Sequence, residues 1–152
     1  MTVKTILCLL LLLLIVLPLQ AQPVGERVLG DVEIIEHPEI AEIRVSFNFP
    51  ILYLGHFPTE GGHALRIQLQ PTNMASVDRD ALFHRESSTL PKPNLAGLTD
   101  LFYEGDTASG LSLVLRFQSQ ARWQVEQGED YRSVHVMVLS PFPVVPGEVK
   151  SE

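Results

Sequence analysis

Three polar residues between positions 56 and 63 form the clearest candidate for metal chemistry in this sequence. His56 and His63 lie on either side of Glu60. Imidazole nitrogens and a carboxylate together suit zinc or copper. If the chain turns back between the two histidines, their side chains can face each other across the turn. One hypothesis is therefore a small metal- or ligand-binding carrier, and the alternative is two exposed loop histidines, since their spacing matches no common ligand motif.

Residues for hydrolytic catalysis are present without the context that catalysis needs. Two acidic pairs could flank a glycosidic bond: Glu104 with Asp106, and Glu129 with Asp130. Both pairs lie beside glycine in predicted turns, where carboxylates usually contact water or backbone amides. Ser109 is followed by glycine, but no Gly-x-Ser-x-Gly motif places it at a strand-to-helix turn. We therefore expect a protein that is not an enzyme and holds no cofactor.

Aromatic side chains form a third class of candidates. Tyr53 and Phe57 belong to an apolar run that is denser than a half-buried strand requires, and Trp123 stands in a similar context in the second half of the chain. Such rings can stack on a sugar or anchor a partner chain. Alternatively, Tyr53 and Trp123 pack in the core, as large residues do between two sheets. All three are candidate contacts for a protein partner or a cell-wall glycan.

The elements that position these residues are strands, because apolar and polar side chains alternate along much of the chain. The segments with this pattern are 43–47, 65–71, 111–117 and 134–138, with shorter versions at 32–35 and 98–103. Only a short helical turn is expected within 77–84. The sequence therefore predicts an all-β fold, a small antiparallel β-sandwich.

The two halves of the chain resemble each other at a constant offset. Segment 43–47 aligns with 113–117, and the aromatic residue six positions later is Tyr53 in one copy and Trp123 in the other. Each copy continues through a polar turn to a return strand. There Leu65 aligns with Val134, so the offset falls from 70 residues to 69. This pattern indicates two similar three-strand units, with one residue gained or lost in the turn. Chance similarity between alternating strands is the alternative.

Residues 1–21 are typical of a secretory signal peptide. Lys4 precedes an apolar run over 6–17, which is shorter than the roughly 20 residues that span a bilayer, and Pro18 ends it. We expect cleavage after Ala21. The expected remainder is one sandwich domain over 22–141 with a long loop at 71–97, followed by a flexible proline-rich tail at 142–152.

Charge and cysteine content narrow the partners and the compartment. The chain has 11 Lys and Arg against 18 Asp and Glu, and loss of the leader with Lys4 changes the formal net charge from −7 to −8. This balance does not supply the basic face that nucleic acid or anionic lipid requires. The one cysteine, Cys8, lies in the leader, so the mature protein has no disulfide. We expect a periplasmic protein with no membrane span after cleavage.

The pattern of an alternating strand, a later aromatic residue, a turn and a return strand resembles the AMIN-type β-domain. It is more similar to the β-regions that precede tetratricopeptide repeats or peptidoglycan-binding modules in proteobacterial envelope proteins. The resemblance spans about half of the mature chain, and the stretches that match are 43–47 with 65–71 and 113–117 with 130–134. The resemblance implies a periplasmic sandwich that binds peptidoglycan or docks an envelope protein without catalysis.

Overall fold

The structure is a computed structural model that describes residues 27–72, 80–92, 94, 96–105, 107–108 and 110–139. Within these ranges the chain forms eight strands, one 3-10 turn at Asp80–Phe83 and no α-helix. The strands are β1 (Leu29–Glu36), β2 (Ile40–Phe47), β3 (Ile51–Phe57), β4 (Gly61–Pro71), β5 (Arg85–Ser87), β6 (Leu98–Glu104), β7 (Leu111–Gln127) and β8 (Ser133–Leu139). The predicted all-β fold is confirmed. The expected signal peptide and tail lie outside the described residues.

The eight strands pair antiparallel in one sheet that is divided along the long strand β7. The first half of β7 pairs with β4 on one edge and β6 on the other, whereas its second half pairs with β8 and, at Ala121 and Arg122, with the start of β4. On the β4 edge, residues 117–120 of β7 lie opposite His63 alone, so the pairing is interrupted between the halves. We call β3–β4–β7–β6–β5 sheet A and β1–β2–β8–β7 sheet B.

The core is formed by the inward positions that the alternation predicted. On β2, β4, β7 and β8 these positions are buried, except Leu111, which is half-buried against the cluster: Ile43, Val45, Phe47, Leu65, Ile67, Leu69, Leu113, Leu115, Phe117, Val134, Val136 and Val138. Burial of one such aliphatic side chain contributes about 1.5–3 kcal/mol. This cluster draws on both sheets, so it holds them together and fixes which face of each strand points outward.

The strand register has the symmetry that the internal repeat predicts. Leu65 pairs with Leu115, and their counterparts in the other unit, Val134 and Val45, pair with each other. The return strand of each unit therefore pairs with the first strand of the other unit. The repeat also includes β1 and β6, because both have a register shift at the corresponding place.

Two details of the predicted repeat are wrong. The first two strands of the second unit are one continuous strand, β7, rather than two. In addition, the extra residue of the first unit lies in a strand and not in the turn. Tyr53 and Gly55 pair with consecutive residues of β4, so Leu54 between them is the extra residue of a bulge. No such interruption follows Trp123. Beyond this bulge the offset between the units is shorter by one, and Phe57 corresponds to Glu126.

The segment expected as a loop at 71–97 contains β5 and the 3-10 turn, while residues 73–79, 93 and 95 lie outside the described part. The Glu86 carboxylate of β5 accepts the Val28 backbone N–H at 2.7 Å and the Arg27 Nε–H at 2.9 Å. The Tyr103 hydroxyl donates to the Leu82 carbonyl at 2.8 Å. These contacts fasten the segment to β1 and β6. A strand as short as β5 cannot show alternation, which is why the residue pattern does not indicate it.

Candidate functional site

A row of charged and polar side chains crosses the outer face of sheet B. Glu126, His135, Arg44 and Glu33 are successive cross-strand neighbours on β7, β8, β2 and β1. We call them the polar row. Glu42 lies between two of them, since its Oε1 is 3.0 Å from Arg44 Nη2 and 3.2 Å from His135 Nδ1. The positive charge of Arg44 is therefore neutralised within this face by Glu42 and Glu33.

A groove of about 390 Å³ beside the polar row is lined by Ser133 and His135, among others. Ser133 Oγ lies 3.2 Å from His135 Nε2, whose ring reaches Glu42 at 3.2 Å. This is the connectivity of a serine-hydrolase triad. However, the Ser133 hydroxyl donates to Asp130 Oδ1 at 2.9 Å, and a Cβ on Gly128 would lie 1.9 Å from its Oγ. The hydroxyl is held against the turn and is not presented as a nucleophile.

Asp130 organises the turn between β7 and β8. Its Oδ1 accepts the Arg132 backbone N–H at 2.8 Å as well as the Ser133 hydroxyl. The backbone hydrogen bond from Arg132 is the main reason that the pKa of Asp130 is lowered from its ordinary value. Glu129–Asp130 is one of the two acidic pairs considered for glycosidic chemistry, and its Asp130 carboxylate is instead hydrogen-bonded within the turn. The other includes Asp106, which lies outside the described residues, as does Ser109.

Two buried serines provide a test of this structural role. Ser133 is hydrogen-bonded, whereas Ser112 is buried with no partner for its Oγ among the described residues. We expect Ser133→Ala to lower the free energy of unfolding by about 1–2 kcal/mol, because it removes hydrogen bonds in the turn. Ser112→Ala should leave it unchanged or raise it, because an unpaired buried hydroxyl is itself unfavourable. Urea denaturation followed by tryptophan fluorescence measures both, and equal losses would contradict the assignment.

His56, Glu60 and His63 are not gathered into a metal site. His56 Nε2 lies 3.1 Å from the Thr59 carbonyl, to which it donates, so Nδ1 is the acceptor of the Tyr53 hydroxyl. Neither nitrogen of His56 keeps an unused lone pair. The side chains of Glu60 and His63 are exposed. Across the described part of the chain, no three His, Cys, Asp or Glu residues are placed to hold a metal ion.

The three aromatic candidates differ in accessibility. Trp123 is only 3% exposed, stacks on Phe117 with 5.6 Å between ring centroids, and donates its Nε1–H to the Pro58 carbonyl at 3.0 Å. Tyr53 is half-buried against the core. Phe57 is 75% exposed. The core alternative is thus observed for Trp123, and of the three rings Phe57 is the one that is open to a partner.

The outer face of sheet A carries a counterpart of the polar row in which three of the four side chains are apolar. Its members are cross-strand neighbours on β3, β4, β7 and β6: Phe57, Arg66, Val114 and Phe102. At the offsets of the repeat they correspond, in that order, to Glu126, His135, Arg44 and Glu33. We call the sheet A set the apolar row. Val114 and Phe102 are buried yet lie outside the core cluster, as outward-facing residues do.

Exposed apolar side chains extend this row along the edge strand. β3 pairs only with β4. Its outward side chains Leu52, Leu54 and Phe57 are 37%, 57% and 75% exposed. We call these three residues the β3 patch. In the second unit Leu52 corresponds to Arg122, so the same strand position is charged there.

No family model, no curated protein and no solved structure matches this chain. Within the ranges that the structure describes, no helix is both long enough and apolar enough to cross a membrane.

Arginine side chains cover the apolar row. The guanidinium carbons of Arg85 and Arg116 lie 4.0 Å and 5.3 Å from the centroid of the Phe102 ring. Arg66 Nη1 lies 2.9 Å from Glu104 Oε2. The residue pattern does not indicate this cluster, because its arginines belong to three different strands and only the strand register brings them to one face.

Proposed function

We propose that this protein is a non-catalytic docking module of the cell envelope and that it binds a partner protein through the β3 patch, which includes Phe57 at the exposed end of the apolar row. The observation that carries the proposal is the exposure of Leu54 and Phe57 on the edge strand. Contiguous exposed apolar side chains are typical of interaction surfaces. The leader expected to direct export would place this surface in the periplasm.

The internal repeat supports a functional reason for the patch. Both units build corresponding strands with corresponding register, yet Leu52 and Phe57 of the first unit correspond to Arg122 and Glu126 of the second. The fold therefore does not require apolar side chains at these positions. Exposed leucine and phenylalanine reduce solubility, so their presence on one unit only is better explained by binding.

The composition and geometry of the patch favour a protein over a glycan. Sugars are bound through aromatic stacking and hydrogen bonds, and Leu52 and Leu54 provide neither. The partner is also expected to contact side chains rather than add a strand to β3. The Tyr53 backbone N–H already donates to Gln127 Oε1 at 2.7 Å, and the Ile51 N–H donates to the Tyr131 carbonyl at 2.8 Å. Peptidoglycan remains the alternative ligand, with Phe57 as the stacking ring.

Paired variants at equivalent positions of the two units test this proposal. The tagged full chain would be exported and used to retain proteins from an envelope extract, with and without purified sacculi. We expect Leu52→Gln/Phe57→Gln to reduce retention of the partner at least about tenfold, as loss of central apolar contacts does. Arg122→Gln/Glu126→Gln, the matched control, should retain it like the wild type.

Both double variants must keep the wild-type circular dichroism spectrum and melting temperature for the comparison to count. Equal retention by the wild type and Leu52→Gln/Phe57→Gln would contradict docking through the β3 patch. Binding of the wild type to sacculi alone, lost in Phe57→Gln but not in Leu52→Gln, would favour the glycan alternative.

A further inference from the structure

We infer that the partner segment bound by sheet A is acidic, and that Arg85 and Arg116 bind its carboxylates beside the apolar row. The inference rests on the proposed docking function and specifies its partner. Both guanidinium groups lie against Phe102, at 4.0 Å and 5.3 Å from the ring centroid, on the outer face of the sheet. The face that exposes apolar side chains thus also carries positive charge in a chain whose net charge is −7.

The two arginines are available for an external anion. Both are exposed, and neither forms an ion pair within the part of the chain that the structure describes. Glu104 is opposite Arg85 in the register, but its carboxylate pairs with Arg66 at 2.9 Å. Asp100 is opposite Arg116 but does not come within ion-pair distance of it. The acidic side chains of this face therefore leave both guanidinium groups unneutralised.

At the corresponding place on sheet B, the arginine of the polar row is neutralised. Arg44 in the polar row lies 3.0 Å from Glu42 and 3.5 Å from Glu33. The fold can therefore neutralise an outward arginine, as it also does for Arg66 with Glu104 on sheet A.

Arg122 of sheet B is exposed without an ion pair in the described part of the chain, like Arg85 and Arg116, but unlike them it does not lie on an aromatic ring. This contrast indicates that the unpaired charge of Arg85 and Arg116 is used for binding.

Stacking on an aromatic ring prepares an arginine for a carboxylate. The planar guanidinium keeps its N–H groups free at the edge when its face lies on Phe102. Because the ring holds the side chain in place, less entropy is lost when a carboxylate accepts two parallel hydrogen bonds. Arg85 and Arg116 flank one ring and can hold two carboxylates, or one between them.

The surrounding residues favour a short acidic polypeptide over a continuous polyanion. Glu104 and Asp100 lie on the same face and would repel a chain that carries a charge at every unit. From Phe57 to Phe102 the apolar row crosses three strand spacings, roughly 14 Å, which an extended peptide covers in about four residues. A segment with leucines and glutamates about four residues apart would therefore contact the β3 patch and the arginines together.

A synthetic peptide with this spacing provides the test. The probe is a fluorescein-labelled peptide of sequence Leu-Leu-Ser-Ser-Glu-Glu, and the control peptide has glutamine in place of both glutamates. We expect the full protein to bind the glutamate peptide at least about tenfold more tightly, with a difference that shrinks as salt is added. Fluorescence anisotropy measures both affinities. Equal binding of the two peptides, or no binding of the glutamate peptide, would overturn the inference.

Variants of the arginines test which groups bind the carboxylates. Arg85→Gln/Arg116→Gln should remove the preference for the glutamate peptide, whereas Arg122→Gln on sheet B should keep it. Arg85→Lys/Arg116→Lys retains the charge and should keep only part of the preference, because lysine cannot form the planar bidentate contact. This lysine pair guards against unfolding caused by uncovering Phe102, and its melting temperature should match the wild type. An unchanged preference in both double variants would refute the assignment.

The envelope capture separates failure of this inference from failure of docking itself. If Arg85→Gln/Arg116→Gln retains the same partner as the wild type while Leu52→Gln/Phe57→Gln loses it, docking stands and the acidic partner is refuted. If neither double variant loses the partner, both proposals fail. Capture of sacculi that depends on the arginines but not on the β3 patch would also overturn the inference, because it would indicate a glycan carboxylate.

Discussion

Replacement of Trp123 by alanine is expected to lower the free energy of unfolding by about 3–5 kcal/mol. The side chain is buried, it stacks on Phe117, and its indole N–H donates to the Pro58 carbonyl. Alanine would leave a cavity between β7 and the β3–β4 turn and would remove the partner of that carbonyl. Urea denaturation followed by far-ultraviolet circular dichroism measures the loss, since this is the one tryptophan of the chain.

The repeat supplies the control for this prediction. Tyr53 stands at the equivalent position of the first unit but is only half-buried, so Tyr53→Ala should cost less than Trp123→Ala. Trp123→Phe keeps a ring against Phe117 and loses the hydrogen bond, and a cost of about 1–2 kcal/mol is expected for it. If Trp123→Ala were no more destabilising than Tyr53→Ala, the burial of the tryptophan would be contradicted.

The sequence predicted the core well because alternation is a local property of an extended chain. Ile43 and Leu113 lie in different halves of the chain, yet each is placed inward by its own neighbours, and both are fully buried. The offset between the two units could also be recognised in the sequence, because equivalent positions of the two units carry similar side chains. These features need no knowledge of which strands pair.

Features set by strand pairing could not be predicted in the same way. The bulge at Leu54 and the continuity of β7 depend on cross-strand hydrogen bonds, which alternation does not encode. One local signal does indicate that β7 is continuous. Pro50 breaks the chain between β2 and β3, whereas segment 118–122 contains no proline or glycine. A continuous strand with even spacing places Trp123 on the same face as Phe117, which would have favoured the core.

Strand pairing also determines which side chains of the candidate site are accessible. The apolar run around Tyr53 was recognised as denser than a strand needs, and its surplus residues Leu52 and Leu54 are indeed exposed. Arg85 and Arg116 are distant in the sequence and meet at Phe102 only through the register of β5, β6 and β7. The sequence around a charged outward residue does not indicate which side chains lie beside it on the neighbouring strands.

Gly61→Ala is expected to lower the free energy of unfolding by about 3 kcal/mol, the upper end of what overpacking usually costs. The glycine pair at 61–62 suggests turn residues that adopt positive φ, but Gly61 is needed for a close approach. It pairs with Arg122 where β4 meets the second half of β7, and a Cβ there would lie 2.3 Å from the Ala121 carbonyl oxygen. The new Cβ and the Ala121 carbonyl oxygen are both attached directly to the backbone of paired strands. The overlap could therefore be relieved only if the two strands moved apart.

A second glycine substitution distinguishes this close approach from a general cost of replacing glycine. At Gly110 a Cβ would meet nothing within 4 Å, and its φ of 85° should make Gly110→Ala cost only about 1–2 kcal/mol. Urea denaturation of both variants should therefore rank Gly61→Ala as the more destabilising. The reverse order would mean that β4 does not contact β7 this closely. In that case the division of β7 between the two sheets, on which the equivalence of the two outer rows depends, would have to be redrawn.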